Sequence, residues 1–403
     1  MAGDHSTINA PKYMSSFRCV GAACEETCCS SFQVDVDRAT FRAYMAVREP
    51  GLGQDLQRHV KKLREPRTAD RYARIHLTPA GDCPFLDHDR LCAIQNRLGE
   101  AALSETCRSY PRETWDRDGR RYLGAKLSCP EAARLCVSSP DAMAFTEDGL
   151  ADALASRLDV GGESARGAVH AAIEEVLRDR ALPVWKAIIF AGVITETFLS
   201  DDRAAEPAGS ALLASIRAYT AETRQALLRE DFAIGDQALV QFRILTGIAL
   251  SVSRKGSAHT RFPKIVQASL DNILGSAEDF DGALRRYAEL YENGFKPFDD
   301  AHEYALRNFV LNYVYLNRAF LTGPVLPQFQ NLAARFGVIR LLLVGLSGAR
   351  PEGLSIADYA AVVSSASRIM DHDTSVSTEV CAALDAVEPR SMSLAVRMVI
   401  PPV

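Results

Sequence analysis

Apolar residues follow the helical period over most of the chain. From residue 139 onward they recur three and four positions apart, the spacing that puts them on one face of an α-helix. The pattern predicts helices near 141–157, 165–180, 183–199, 209–230, 234–254, 263–275, 279–293, 300–318, 326–347 and 355–371. Two of them begin with capping-box spacing, Asp300 with Glu303 and Ser355 with Asp358, in which each residue satisfies a free amide at the helix start.

The first third of the chain has a different pattern. Its apolar runs are short, as at 32–36 and 71–78, and Cys, Arg and Pro interrupt them, so we expect little long helix there. Pro140 directly after Ser139 resembles a first helical residue behind an N-cap and sets the predicted boundary. The expected fold is mainly α: a small, irregular, Cys-rich α+β metal-binding region over 1–138, then a larger all-helical domain over 139–403.

Composition narrows the function classes. The 403 residues are 47% hydrophobic and 24% charged, which excludes a disordered chain. A formal net charge of -5 gives no overall drive toward nucleic acid or an anionic membrane, and we expect neither as a partner. The first 14 residues lack the apolar core of a secretory signal, and the apolar stretch 187–194 is far shorter than the roughly 20 residues that cross a bilayer. We therefore predict a cytoplasmic protein with 187–194 in a buried helix.

Cysteines are concentrated at the front of the chain. Nine of the ten lie within the first 136 residues, and in a reducing compartment clustered thiols more often bind metal or react than form disulfides. The predicted metal ligands are Cys19, Cys24, Cys28, Cys29, Cys83, Cys92, Cys107 and Cys129. The remaining two, Cys136 and Cys381, are interpreted as core residues.

Thiolates are soft ligands, which favours zinc, copper(I) or the iron of an iron–sulfur cluster. Eight thiols could hold two tetrahedral zinc ions, so zinc stays open beside a cluster, and plain buried cysteines are the alternative to both. The adjacent pair Cys28 and Cys29 can face one centre only if the chain turns sharply between them. Arg18 and Arg108, each next to a cysteine, could balance the negative charge of the thiolates.

The sequence resembles the flagellin lysine N-methylases, whose front region belongs to a broader zinc- or iron-chelating CxxCxxCC group. The segments that carry this resemblance are 13–19, Cys24, Cys28–Cys29, 34–37, 83–86, 92–94, 106–112 and 127–134 at the front, and 306–314, 340–346 and 367–371 in the helical part. There are two departures: Phe32 stands where Trp is frequent, and Arg90 stands in a turn that often carries Gly. Both leave metal binding intact.

The resemblance implies an enzyme, a methyltransferase that moves a methyl group from S-adenosylmethionine to lysine side chains of flagellin. It also implies an iron–sulfur cluster, of the 4Fe-4S type, held by the front cysteines, with zinc as the alternative. Flagellin would be the protein partner. The runner-up function is a non-enzymatic zinc- or iron-chelating scaffold, and a donor pocket lined by the helical part next to the cysteines would separate the two. The oligomeric state stays open.

The residues themselves give no standard donor site. A Gly-rich turn after a strand is missing, and the nearest candidate, 341–348 with Gly345 and Gly348, lies in a helical pattern. A radical-type Cys-x3-Cys-x2-Cys motif is started by Cys24 and Cys28 but has Ser31 at its third position. We therefore favour polar methyl transfer.

One helical stripe offers candidate chemistry. Tyr304, Asn308, Asn312 and Tyr315 recur at spacings of four, four and three, which places them on one face. We predict Tyr304 and Tyr315 as catalytic proton-relay partners and Asn308 and Asn312 as residues that bind the donor. The alternative is that these amides and phenols are buried and bond to neighbouring elements.

Overall fold

The computed structural model describes residues 8–117, 120–145, 165–198, 210–230, 238–255, 260–275, 279–317, 320, 325–372, 374–385 and 391–402. Short elements fill the first third. They are β1 (Ile8–Asn9), α1 (Tyr13–Ser16), β2 (Val34–Val36), α2 (Arg38–Ala46), α3 (Leu52–His59), β3 (Val60–Lys62), β4 (Ala73–Ile75), α4 (Ala93–Leu98), α5 (Glu105–Ser109), β5 (Arg112–Arg117), β6 (Arg120–Ala125) and α6 (Pro130–Val137).

Longer helices follow. They are α7 (Ala165–Arg178), α8 (Val184–Phe198), α9 (Ser210–Arg229), α10 (Ala238–Ser253), α11 (Phe262–Leu274), α12 (Phe280–Leu290), α13 (Lys296–Ala301), α14 (Tyr304–Leu316), α15 (Val325–Ser347), α16 (Ile356–Met370), α17 (Thr374–Asp385) and α18 (Met392–Val399). A π-helical turn, Tyr291–Phe295, joins α12 to α13. The mainly α prediction is confirmed, with strands confined to the described front region.

Two small sheets organise the front. In the first, β1 runs parallel to β6 and β5 runs antiparallel to it, in the order β1-β6-β5. In the second, β4 lies antiparallel between β2 and β3, with Ile75 opposite both Val34 and Val60. All three residues are buried, because directly opposite residues of neighbouring strands project from the same face of the sheet.

The front cysteine region has its own small core. This core runs from Val34 to Leu103 and includes Leu56, Ile75 and Phe85. The segments on either side of it, α1 and the stretch from β6 through α6, pack instead into the large core of the helical part. The domain boundary at residue 138 remains a prediction, but the hydrophobic packing already crosses it.

Most helices of the body match the periodicity. For example, α9 covers Ser210–Arg229 against a prediction of 209–230, and α16 covers Ile356–Met370 against 355–371. The capping box of Ser355 and Asp358 is confirmed in both directions. The buried helix predicted over 187–194 is α8, whose residues there are almost all buried.

Two local predictions were wrong. Asp300 lies inside α13 rather than at an N-cap, and α14 begins only at Tyr304, after the chain leaves helical geometry at His302. Ser139 and Pro140 lie in a turn, because the amide of Ala142 bonds to the Ser139 carbonyl instead of opening a helix. The rest of the predicted 141–157 helix lies outside the described residues from 146 onward. The pattern also missed α17 and α18.

Helix α15 is the central helix of the body. By length and composition its segment Leu326–Ser347 could cross a membrane, but its whole apolar window is buried inside the protein. Gly345 lets it approach α11, since a Cβ there would stand 2.4 Å from the Ser269 carbonyl oxygen. The glycines of 341–348 therefore serve helix packing, which argues against the donor-binding turn considered for that stretch.

A cysteine-lined cavity as the candidate metal centre

A cavity of about 670 Å³ lies between the front region and the helical body. Its wall carries five cysteines: Cys28, Cys29, Cys83, Cys92 and Cys107. The opposite part of the wall comes from the helical body and consists of Lys255, Arg368, Ile369 and His372. The cavity is thus shared by two parts of the chain that are far apart in sequence.

Turns bring the first cysteines to this cavity. Cys28 and Cys29 lie in a turn, which is the sharp change of direction that both need in order to face one space. Ser31 follows with a φ of 66°, a left-handed conformation that few non-glycine residues adopt. The amide of Cys83 then donates to the carbonyl of Cys29 at 2.7 Å, which fixes the two segments side by side.

The other two cavity cysteines stand at helix starts. Cys92 immediately precedes α4, and Leu86 forms a bridge with it across the turn between them. Cys107 lies in the first turn of α5, where its amide donates to the side chain of Ser104 at 3.4 Å. Burial raises the pKa of Cys92 and outweighs the backbone amides of Ile94 and Gln95 at the start of α4, which act to lower it.

Arg90 explains one departure from the family pattern. It adopts a φ of 59°, the left-handed geometry for which glycine is favoured. Its guanidinium donates to the carbonyl of Cys24 at 3.2 Å. The residue therefore keeps the turn at a conformational cost and ties it to the cysteine loop.

Four of the thiols influence one another in every pairing. Within this quartet, Cys29, Cys83, Cys92 and Cys107, each thiolate raises the pKa of its neighbours by repulsion. Burial is the larger cause and, with that repulsion, raises the pKa of Cys83 to about 12 and that of Cys107 to about 11. The thiol of Cys28 donates to Cys29, which lowers the pKa of Cys29 to about 7. Four thiols that repel one another as anions are a suitable ligand set for a cation.

A second set of cysteines lies outside the cavity wall. Cys19, Cys24 and Cys129 also repel one another, and together with burial this raises the pKa of Cys129 to about 11. Cys136 is fully buried in the large core and Cys381 is buried as well, as expected for core residues. The eight predicted ligands thus fall into two groups, with Cys28 beside the quartet.

The donor chemistry fits a soft metal or a cluster. Among the described residues, no group of three or more Cys, His, Asp or Glu side chains already stands at metal-ligand spacing. The quartet nevertheless faces one open volume from three chain segments, and four thiolates are the ligand set of both tetrahedral zinc and a 4Fe-4S cluster. The ligand assignment remains a prediction that the arrangement of these side chains supports.

Arg368 connects the helical body to the cysteine loop. Its side chain is buried and donates to the carbonyls of Thr27, at 2.8 Å, and of Ser30. Its guanidinium lies 4.1 Å from the ring centroid of Phe32, the other departure from the family pattern. The positive charge beside the cysteines therefore comes from α16, more than 330 residues away in sequence.

The arginines next to cysteines in sequence have other contacts. Arg18 donates to the carbonyl of Phe17 at 2.7 Å, and Arg108 forms an ion pair with Glu105. The arginine whose charge lowers the pKa of Cys29 is instead Arg368. Sequence adjacency gave no signal for a contact that only the packing of α16 creates.

A chain of three hydroxyl and imidazole groups borders the cavity. The hydroxyl of Tyr110 lies 3.1 Å from Ser128 Oγ, which lies 2.8 Å from His372 Nε2. The ring of Phe32 packs against both ends, 5.3 Å from the Tyr110 centroid and 4.5 Å from that of His372. Burial, Lys126 and Arg368 lower the pKa of His372 to about 3, so its imidazole is neutral. His372 lies in the turn that follows α16.

The predicted stripe on α14 faces the front region rather than the cavity of the cysteines. Asn308 donates to the carbonyls of Cys136 and Ser139 at 2.9 and 2.8 Å. The Tyr315 hydroxyl donates to the carbonyls of Asn9 or Leu123, both at 3.2 Å. These contacts join α14 to the front region, which is the alternative stated for buried amides and phenols.

The other two members of the stripe differ from each other. Tyr304 is half-buried, with its ring edge-on to His302 at 5.9 Å between centroids. Asn312 donates to the Ala125 carbonyl at 3.2 Å and accepts from the Tyr13 hydroxyl at 2.8 Å. The catalytic and donor-binding roles of the four residues stay predictions.

Asn312 also borders a smaller cavity of about 270 Å³. Two ion pairs stand in its wall: Lys126 with Glu113 at 2.9 Å and Arg335 with Asp371 at 3.0 Å. The cysteine-lined cavity, with more than twice this volume, is the stronger candidate for a small-molecule site.

The fold and the cavity define a mainly α protein whose helical domain closes over a thiol-lined front region. A family model described as the FliB lysine N-methylase C-terminal domain matches residues 171–396, more than half of the chain. The chain therefore belongs to the FliB lysine N-methylase family. The matched segment contains all four helical-body residues of the cavity wall.

Similar proteins come from Salmonella. The lysine-N-methylases of Salmonella choleraesuis and Salmonella typhimurium are each 36% identical over 144 residues, which cover 35% of this chain and 35% of each relative. The flagellar biosynthetic protein FliU of Salmonella muenchen is 35% identical over 144 residues, 35% of this chain and 83% of that protein. The match thus spans about a third of the length of the two lysine-N-methylases. No solved structure matches the chain.

Proposed function

We propose that the chain is a protein lysine N-methyltransferase that transfers a methyl group from S-adenosylmethionine to lysine side chains of flagellin. Membership of a lysine N-methylase family supports the reaction class. The name of the relative FliU supports a flagellar protein as substrate. Cytoplasmic location and flagellin as partner remain predictions that accompany this proposal.

One observation carries the proposal: the thiols and the family-matched helices line the same cavity. Its volume of about 670 Å³ falls in the usual range of small-molecule sites, about 300–1,000 Å³. A scaffold that only chelates metal has no need of such a space beside its thiols. A methyltransferase does, because the donor and the amine must meet in one enclosed site.

The quartet Cys29, Cys83, Cys92 and Cys107 would hold the cluster, with zinc at the same thiols as the alternative. A bound 4Fe-4S cluster would supply thiolate-ligated iron next to the reacting groups. The protein adds the buried guanidinium of Arg368, which lies at the cavity wall against the Phe32 ring and 3.7 Å from Glu26.

The cavity wall supports polar methyl transfer. Ser31 faces the cavity at the position where a radical-type motif would have its third cysteine. In polar transfer the lysine must present a neutral amine in line with the methyl group. The cations Arg368 and Lys255 in the wall are each paired with a glutamate, Glu26 at 3.7 Å and Glu379 at 2.6 Å, so their charge does not decide the protonation of the substrate amine.

The test uses the full chain, purified and reconstituted with iron and sulfide without oxygen. We expect visible absorption from the cluster, binding of S-adenosylmethionine in calorimetry, and methylated lysines in flagellin by intact mass and peptide sequencing. Donor binding without any methylated lysine would refute flagellin as substrate. Colourless protein with stoichiometric zinc would refute the cluster.

Two cysteine variants sharpen this test. Cys92→Ser removes a thiol of the quartet and should lose the metal together with methylation. Cys381→Ser changes a buried cysteine that does not line the cavity and serves as the matched control, with metal content and activity retained. Equal metal content in the two variants would refute the quartet as the ligand set.

A further inference from the structure

The cavity contains a hydrogen-bonded chain to which no role has been assigned. Tyr110 and His372 both line it, and the buried Ser128 links them at 3.1 and 2.8 Å. The partners come from distant parts of the sequence, since Ser128 and His372 are 244 positions apart. A hydrogen-bonded line that begins and ends on one cavity wall is a path along which a proton can move.

We propose that Tyr110, Ser128 and His372 form the relay that removes the proton from the substrate lysine before methyl transfer. This inference rests on the proposed function, because it names the acceptor that a lysine methyltransferase requires. It assigns to the cavity wall the proton-relay role that the sequence suggested for Tyr304 and Tyr315. Neither of those two residues lines the cysteine-lined cavity.

The relay works because its hydrogen bonds can point in either direction. In one arrangement His372 Nε2–H donates to Ser128, Ser128 donates to Tyr110, and Nδ1 of His372 is an acceptor. An ammonium proton passes to Nδ1 while the Nε2 proton moves to Ser128 Oγ. The Ser128 proton moves to the Tyr110 oxygen, and the Tyr110 proton leaves to water.

The balance of the step is complete. One N–H bond of the lysine ammonium breaks, three protons move along the relay, and one proton is released. The neutral amine then forms a bond to the methyl carbon of the donor as the carbon–sulfur bond breaks, and its electron pair stays on sulfur. No oxidant or reductant is needed.

The surroundings explain why concerted movement suits this site. Burial, together with the cations Lys126 and Arg368 that face His372, keeps the pKa of its imidazole low. An imidazolium would therefore not accumulate. A relay that passes the proton on without storing charge meets this constraint.

The packing holds the relay in one geometry. The Phe32 ring contacts both Tyr110 and His372, and Arg368 covers Phe32 at 4.1 Å. The same Arg368 binds the carbonyls of Thr27 and Ser30. The front region and helical body must therefore be docked before the relay is complete.

The decisive variant is Ser128→Ala in the reconstituted full chain, with Ser128→Thr as the conservative rescue. Removing the middle hydroxyl should lower kcat by roughly 100-fold, the low end of what positioned proton transfer contributes. The remaining rate should rise with pH toward the pKa of free lysine, about 10.4, because only amine deprotonated in solution reacts. Ser128→Thr should restore both the rate and the original pH profile.

Two further measurements separate the possible failures. Metal content and donor binding of Ser128→Ala should equal those of the unaltered protein, and Tyr72→Phe, which removes a hydroxyl just before β4 outside the cavity lining, is the control. Methylation by Ser128→Ala with an unchanged pH profile would overturn the relay while leaving the proposed function intact. Absence of methylation by the unaltered protein would instead overturn the proposed function itself.

Discussion

A closed ring of hydrogen bonds ties α14 to the front region, and breaking it distinguishes a structural from a donor-binding role for Asn312. The Tyr13 hydroxyl donates to Asn312 at 2.8 Å, the Asn312 amide donates to the Ala125 carbonyl at 3.2 Å, and the Ala125 amide donates to the Tyr13 oxygen at 3.0 Å. All three residues are less than 5% exposed. The perturbations are Tyr13→Phe, Asn312→Leu and both together.

The expected magnitude follows from the groups left without partners. Tyr13→Phe strands the Asn312 oxygen and the Ala125 amide, and a stranded buried polar group costs about 1–3 kcal/mol. We therefore expect each single substitution to lower the free energy of unfolding by about 2–4 kcal/mol. The double variant should lose less than the sum, with a coupling energy of about 1–2 kcal/mol, since both changes remove the same interaction.

Urea unfolding followed by circular dichroism measures these free energies. Tyr304→Phe, the same substitution on the same helix at a half-buried ring, is the control and should change stability by less than about 0.5 kcal/mol. If Asn312→Leu unfolds like the unaltered protein but no longer binds S-adenosylmethionine, the ring is not a structural tie. Asn312 would then bind the donor as its position on the stripe suggested.

Three further predictions concern other buried charges. Burial raises the pKa of Asp299 to about 7, so the free energy of unfolding should fall as the pH rises from about 4 to 7, by up to about 1.4 kcal/mol per pH unit. Asp299→Asn should flatten that part of the stability profile, and an unchanged slope in this variant would contradict the prediction. Arg340 donates to the carbonyls of Val399 and Ile400 at 2.5 and 2.6 Å, so Arg340→Met should lower the free energy of unfolding, measured in urea, by about 3 kcal/mol or more. A decrease of less than about 1 kcal/mol would show that these contacts do not stabilise the fold. Arg368→Gln removes the positive charge beside the cysteines, so the variant should lose its metal to a chelator faster than the unaltered protein does. Arg340→Met, compared under conditions where both variants are equally stable, is the control, and equal rates of metal loss would argue against a role of Arg368 at the site.

The sequence alone determined the helical body and the presence of a thiol site. Apolar spacing located α9 and α16 to within one residue, and the capping box of Ser355 and Asp358 was readable because both partners lie within one turn. The number and clustering of the cysteines indicated a binding site for a soft metal such as zinc or iron. These features were accessible because each depends on residues a few positions apart or on residue type.

Local spacing was misleading where the chain broke its own pattern. Asp300 and Glu303 have capping-box spacing, yet the π-helical turn at Tyr291–Phe295 leads directly into α13, so Asp300 is already inside a helix. Three members of the stripe on α14, Asn308, Asn312 and Tyr315, contact the front region, whereas Tyr304 packs on His302. What that face touches could not be read from periodicity, which gives the direction of side chains relative to their own helix and not the identity of the neighbour.

Only the tertiary structure decided which thiols share a cavity and which residues stand opposite them. The quartet is assembled from three segments, and Arg368 and His372 reach it from the end of α16. Neither contact leaves a signature in nearby sequence, because a hydrogen bond or cation–π contact needs only that two surfaces meet, and chain separation does not enter its energy. The cysteine pattern therefore predicted the ligands, but packing of the helical body against the front region determines which of them share a cavity and what lies opposite them.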